Sequence, residues 1–384
     1  MNLFAVCAPG LETILRQEMA RLGLSPRPSP AEPAAPPAGE EEGGVEFEGG
    51  LKDIYRANLW LRTASRVLLR IEGGEFPAVG FPELRRKVHN LPWERYLSPG
   101  QPIYLRVSSH ASRLYMKRVI AEHIAQGITA RLGKPSPLVK AEEGDGAAQL
   151  ILARIQRDLC TLSVDSSGEH LHRRGYKLAV AKAPLRENLA AGMLLAAEWE
   201  GAAALLDPFC GSGTIPIEAA LLAGNIPPGR LRRFQFQSWP GFAAALWQEI
   251  LRAADAQRKA DLPLILASDR DAGAIQMAQE NAQRAGVADC IQWTRQAVSA
   301  ITPPQAPGWL VTNPPYGVRV SETQDLRNLY AQFGHVLRAK CPAWRVFVLC
   351  PDDRLLGQTS LRFEYYFTLN NGGLAVKLMG ARVS

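Results

Sequence analysis

Residues 205–220 read LLDPFCGSGTIPIEAA, and this stretch decides the fold. The apolar run 202–206 has the composition of a buried parallel strand. Asp207 ends it, and Pro208 cannot continue a ladder of hydrogen bonds. Gly211 and Gly213 allow a tight turn and a close approach of backbone to ligand. Helix signals resume at Thr214, with Pro216 tolerable in the first turn and Glu218 favourable near the helix N-terminus. The pattern is strand, ligand-cradling loop and helix at the carboxyl edge of an open α/β sheet. It is neither a dinucleotide fingerprint, because Pro216 stands where the third glycine would be, nor a phosphate-binding P-loop, because Gly-Lys-Ser/Thr is missing.

A second decisive stretch lies about a hundred residues further on. Val311-Thr312-Asn313-Pro314-Pro315-Tyr316-Gly317 follows another apolar strand. Two prolines fix their own φ and restrict the residues before them, so one amide and one phenol are held rigidly at a strand end. The Gly loop and the NPPY tetrapeptide, in this order and spacing, resemble the class I S-adenosylmethionine (SAM) dependent methyltransferases that modify exocyclic amino groups of bases. That resemblance implies Asn313, Pro314, Pro315 and Tyr316 at the catalytic centre. It also implies Asp207, Phe209, Gly211, Gly213 and Thr214 around SAM.

The chain has 384 residues, 47% of them hydrophobic, enough for two or three domains with substantial cores. Its net charge of +7 suits a polyanionic partner. The six cysteines show no C-x-x-C spacing and no nearby histidine at ligand spacing, which predicts reduced core thiols and no metal. No apolar run reaches membrane-spanning length, and the expected location is cytoplasmic.

From the N-terminus, a strand at 3–8 and a helix opened by Gly10 precede a low-complexity segment, 25–44, rich in proline and glutamate. Strand, helix and strand signals follow at 45–47, 51–61 and 66–71. This alternation predicts a small α+β, ferredoxin-like domain over 1–75. A second unit, 76–168, has strands at 103–108, 150–155 and 159–164 and a helix ending near Leu132. Basic residues gather at that helix start: Arg106, Arg113, Lys117 and Arg118. Placed before a methyltransferase core, this unit resembles a THUMP domain. The resemblance implies RNA held by phosphates and shape, with Arg113, Lys117 and Arg118 as contacts. On a strand His170 and His172 would share one face, but no third ligand is near, so they read as surface or RNA-facing polar residues.

The third unit, 169–384, resembles the catalytic part of bacterial 23S ribosomal RNA guanine-N2 methyltransferases. The resemblance carries Pro184 and Leu185 into the SAM shell. The insertion 225–260 interleaves Arg230, Arg232 and Arg233 with Phe234, Phe236 and Trp239, a mixture that fits either RNA contact, through Arg232 and Arg233, or a loop packed on its own aromatics. A strand at 262–267 ends in Ser268-Asp269-Arg270-Asp271. A carboxylate there can accept from both ribose hydroxyls, the role implied for Asp269, while Asp271 reads as a helix N-cap. Arg270 stands where the family has an apolar residue packed on adenine. Ala297 stands where it often has an acid receiving the adenine amino group. Further strands at 291–295, 308–312 and 344–350, and a hairpin about Asn370-Asn371-Gly372-Gly373, complete a Rossmann-like seven-stranded sheet. The implied activity is methyl transfer to guanine N2 in 23S rRNA. The open alternatives are a tRNA guanine-N2 methyltransferase and a non-catalytic RNA-binding assembly factor with a degenerate SAM pocket.

Overall fold

A computed structural model describes residues 1–27, 43–140, 148–178, 185–316 and 323–384. Most of the proline- and glutamate-rich segment lies outside these. The described chain forms two compact units, each with its own seven-stranded sheet.

The first unit comprises Met1–Cys7, Leu15–Leu171 and Arg232–Arg252. Its strands are β1 (Asn2–Cys7), β2 (Ser25–Pro26), β3 (Gly44–Glu48), β4 (Ala64–Pro77), β5 (Ile103–His110), β6 (Gln149–Gln156) and β7 (Leu159–Asp165). Their order is β2-β3-β1-β4-β7-β6-β5, antiparallel throughout except for the parallel pair β5 and β6. Helix α1 (Glu12–Arg21) follows β1, and α2 (Leu51–Trp60), α3 (Phe81–His89) and α4 (Lys117–Leu132) lie between the later strands. The sequence separates residues 1–75 from 76–168. In the structure β4 has 14 residues and pairs with β1 along one edge and with β7 along the other. One continuous sheet therefore spans both segments.

The insertion also departs from the sequence reading, which assigns it to the catalytic unit. Arg232–Arg252 belongs to the first unit. Phe234, Phe236, Trp239 and Trp247 are buried. Phe236 stacks on Tyr55 with ring centroids 4.3 Å apart, and Trp239 donates Nε1–H to Gln149 Oε1 at 2.8 Å. Burial of aromatic rings of this size contributes a few kcal/mol apiece, on the order of 2–3.

The second unit comprises Ala8–Ile14, His172–Leu231 and Ala253–Ser384. In chain order its elements are α5 (Glu187–Ala196), β8 (Leu205–Asp207), α6 (Thr214–Ala223), β9 (Ile265–Asp269), α8 (Ala272–Ala285), β10 (Gln292–Arg295), β11 (Trp309–Thr312), α9 (Thr323–Lys340), β12 (Arg345–Cys350), α10 (Asp353–Gly357), β13 (Glu364–Asn371) and β14 (Leu374–Arg382). Helix α7 (Ala244–Ala256) begins in the first unit and ends in the second. The strand order is β10-β9-β8-β11-β12-β14-β13. Strands β8 to β12 pair in parallel, and the terminal hairpin adds two antiparallel strands. The order reverses between β8 and β11, which opens a crevice at their carboxyl ends. Leu206, Leu310, Val346 and Val348 bury one face of this sheet against Phe333 and Leu337 of α9 and against Trp344. No helix among the described residues is long and apolar enough to cross a membrane.

Helix α9 approaches its neighbour so closely that it needs a glycine. A Cβ on Gly334 would lie 2.1 Å from the carbonyl oxygen of Thr359. Alanine favours a helix by about 1 kcal/mol over glycine, but here the backbone must move, at a cost of about 1–3 kcal/mol or more. Gly334→Ala should therefore lower the urea midpoint; an unchanged or raised midpoint would contradict this packing.

Candidate active site

The carboxyl ends of β8, β9 and β11 surround a cavity of about 520 Å³. Asp207 ends β8 and is fully buried. Thr312, the last residue of β11, donates Oγ1–H to Asp207 Oδ1 at 2.7 Å, and the Phe209 N–H reaches the same oxygen at 3.2 Å. Burial is the main reason that the Asp207 carboxyl is pushed up to about 7; the neighbouring Asp269 carboxylate adds to it, while the Thr312 and Phe209 bonds oppose it.

The loop after β8 is pinned from three sides. The Cys210 N–H goes to Ser268 O and the Gly211 N–H to Asp269 Oδ2, each at 3.0 Å. Asn281 of α8 donates to Ser212 O at 3.0 Å. The two glycines separate in role. Gly211 has φ +51° and nothing within 4 Å of where a Cβ would stand, and it lines the cavity. Gly213 has φ +81°; its N–H is taken by Cys210 O, and a Cβ there would meet Ala278 and the Trp293 ring at 2.9 and 3.0 Å. Gly213 is thus required by packing, and it is not among the residues that line the cavity.

Asp269 accepts one backbone N–H on each oxygen, from Gly211 and from Asp271, both at 3.0 Å. A second lone pair remains on each oxygen, so two vicinal hydroxyls can still be bound. Asp271 caps α8, accepting from the Ala274 N–H at 2.9 Å. Phe209, Thr214, Arg270 and Leu185 also line the cavity, Arg270 being exposed; Pro184 lies outside the described residues.

Of the NPPY residues, Asn313 and Pro315 line the cavity. Asn313 Oδ1 is buried and has no hydrogen-bond partner among the described residues. Pro314 is buried. Tyr316 packs at the edge of the core, and its hydroxyl accepts from Asn371 Nδ2 at 3.1 Å. A buried amide oxygen with no partner among the described residues, in one cavity with a loop open at Gly211, fits a cofactor and a donor-bearing substrate.

Sequence reasoning misses Lys177. This half-buried side chain donates to Thr214 Oγ1 at 2.8 Å and to Leu185 O at 2.9 Å, tying two cavity-lining residues together. Burial pushes its ammonium pKa down. Tyr176 beside it donates to Glu218 Oε1 at 3.0 Å, and Glu218 is buried. Nothing local in the sequence marks these pairs: Lys177 is one of several charged residues in the approach to the Gly loop, among them Arg173, Arg174, Lys182 and Arg186.

Among the RNA-binding candidates, Arg113, Lys117 and Arg118 are exposed at and before the start of α4, with Arg118 paired to Glu122 at 3.0 Å. Arg232 behaves otherwise. Its guanidinium donates to the carbonyls of Ser167, Glu169 and His170 and lies over the Phe234 ring. These bonds commit it to the loop and correct its assignment to RNA; Arg233 is exposed.

A parallel sheet in this order, with a Gly loop, a strand-end carboxylate and a rigid Asn-Pro-Pro-Tyr, defines a SAM-dependent methyltransferase of class I. The chain belongs to the family described as RMKL-like, methyltransferase domain, which matches residues 174–374, and residues 2–68 match the RlmL ferredoxin-like domain. It is 36% identical to slr0064 of Synechocystis sp., which carries an RNA methyltransferase name, over 98% of this chain and 95% of that protein. It is 35% identical to the ribosomal RNA large subunit methyltransferase K/L of Methylococcus capsulatus, over 98% of this chain but 50% of that protein. The chain thus spans about half the length of its K/L relatives. The crystal structure of SMU.472 complexed with SAH superposes with a TM-score of 0.83 at 30% identity, covering 100% of this chain and 98% of that one.

The position of the Asp207 pKa predicts a pH dependence. A carboxyl held above its unfolded value stabilises the fold fully below pH about 4, and this contribution is lost as pH rises through 7. Between pH 5 and 8 the native chain should lose about 2–3 kcal/mol relative to Asp207→Asn. Parallel melting curves of the two proteins across that range would contradict it.

Proposed function

We propose that this protein transfers a methyl group from SAM to the exocyclic N2 of a guanine in large-subunit ribosomal RNA. The observation that carries the reading is the buried Oδ1 of Asn313, in the wall of the cavity and without a hydrogen-bond partner among the described residues. The names of the K/L relatives supply the class of RNA.

SAM supplies a methyl group on a sulfonium, already activated for transfer. The chain's work is then acceptance and alignment. An exocyclic amine is a weak nucleophile because its lone pair is delocalised into the ring. Asn313 Oδ1 and the Pro314 carbonyl accept its two N–H bonds, which localises the lone pair and aims it. Neither acceptor is protonated near neutrality. The Tyr316 ring offers a stacking face for a base taken out of its helix, and Asn371 steadies its hydroxyl. Asp269 receives the ribose hydroxyls, Gly211 lets the backbone close on the cofactor, and Lys177 holds Thr214 and Leu185 in line. Most of the acceleration comes from fixing two reactants in one geometry. Arg113, Lys117 and Arg118, in a unit of THUMP type, contribute phosphate contacts that position RNA without reading its sequence.

Asn313→Ala should reduce turnover by about a hundredfold or more while SAM binding is retained; equal turnover would refute the role. The substrate is tested with labelled SAM and total RNA from cells lacking this activity. Label is expected as N2-methylguanosine in the large ribosomal RNA; label in tRNA alone, or in no fraction, would overturn the reading. Replacing Lys117 and Arg118 together by glutamine should flatten the dependence of log K on log salt by about 0.7–0.9 for each phosphate no longer neutralised. An unchanged slope would remove them from the RNA interface.

A further inference from the structure

The strand ends fix the direction in which SAM must lie. Across the sheet the order is β10, β9, β8, β11. Asn313 follows β11, Asp207 ends β8, Asp269 ends β9 and Gln296 follows β10. The methyl carbon must reach Asn313, and the ribose diol must reach Asp269. The adenine lies on the far side of the ribose from the sulfur, so it falls at the end of β10. Neighbouring strands stand about 4.8 Å apart, close to the step from a ribose to its base.

Few groups at that end can read an adenine edge. The carboxylates among the described cavity residues are Asp207, Asp269 and Asp271. The first is buried with Thr312, the second stands on β9, and the third caps α8. After β10 the cavity is lined by Gln296, Ala297 and Val298. Gln296 is half-buried, and its N–H donates to Asp269 O at 3.0 Å, which anchors it one strand beyond the diol carboxylate. Its carboxamide has no hydrogen-bond partner among the described residues.

We propose that the Gln296 carboxamide reads the 6-amino edge of the cofactor's adenine, with Oε1 accepting from N6–H and Nε2 donating to N1. A carboxylate offers acceptors only, whereas a carboxamide offers a donor and an acceptor side by side. Such a group is also reversible. Turned by half a rotation, it presents its N–H to the O6 and its oxygen to the N1–H of hypoxanthine. The site therefore takes S-inosylhomocysteine, the deaminated form of S-adenosylhomocysteine (SAH), nearly as well as SAH itself.

This inference rests on SAM as the cofactor and not on which RNA is modified, so binding without RNA tests it. Calorimetric titration of the full chain with SAH and with S-inosylhomocysteine should give dissociation constants within about fivefold of each other. Gln296→Leu should weaken both by about tenfold, the loss of two hydrogen bonds in a half-exposed site. Its ligand-free melting temperature should match the native one, because the side chain bonds to nothing else in the described chain. Unchanged binding by Gln296→Leu, or rejection of S-inosylhomocysteine by more than about fiftyfold in the native protein, would overturn the proposal.

Discussion

The hydrogen bond from Thr312 to Asp207 joins the two strands between which the sheet reverses its order. Everything at the site depends on that junction being closed. β8 has three residues and only two register pairs with β11, so main-chain bonding alone holds the strand ends weakly. The side-chain bond extends the pairing past the last ladder residue. It satisfies a carboxyl that burial would otherwise leave costly. On one side it fixes the start of the Gly loop, and on the other the residue before Asn313. The Gly loop and the Asn313 amide are thereby referenced to one atom, Asp207 Oδ1.

That arrangement was partly legible in the sequence. The local signals were strong where one residue type serves one backbone need: Asp271 as a cap, the Asn-Asn-Gly-Gly hairpin, and the strand ends at Asp207 and Asp269. They failed where the same residue serves different needs. Gly211 and Gly213 look alike in a chain, yet one leaves room for a ligand and the other makes room for Ala278 and Trp293. Long-range pairs such as Lys177 with Thr214 leave no trace in periodicity. Helix α7, by contrast, could have been read: Trp247, Ile250 and Ala254 are buried at helical spacing.

The arginines in the insertion carry a related lesson about composition. Arginine mixed with aromatic rings suits a nucleic acid because guanidinium groups pair with phosphates and rings stack on bases. The same chemistry suits a protein interior. In the first unit Phe234 stacks on Phe236, Phe236 on Tyr55, Trp239 meets Tyr96 edge-on, and Arg232 satisfies three carbonyls. Arg230, in the second unit, is likewise paired through both Nε and Nη2 with Asp255. What separates the two cases is whether carbonyls or carboxylates already fill the guanidinium fork, and sequence does not record that.

The path of the chain through the two units has a consequence for synthesis. Arg232–Arg252 completes a unit that otherwise ends at Leu171, and Ala8–Ile14 belongs to a unit that otherwise begins at His172. A ribosome delivers residues in order, and a segment can dock only after it has emerged. The first sheet can therefore form early, but the ring cluster about Tyr55 stays open to water until some eighty residues after Asp165 have been made. During that interval an apolar surface is exposed on a nascent chain, so slowing translation across this span should increase the need for chaperone cover.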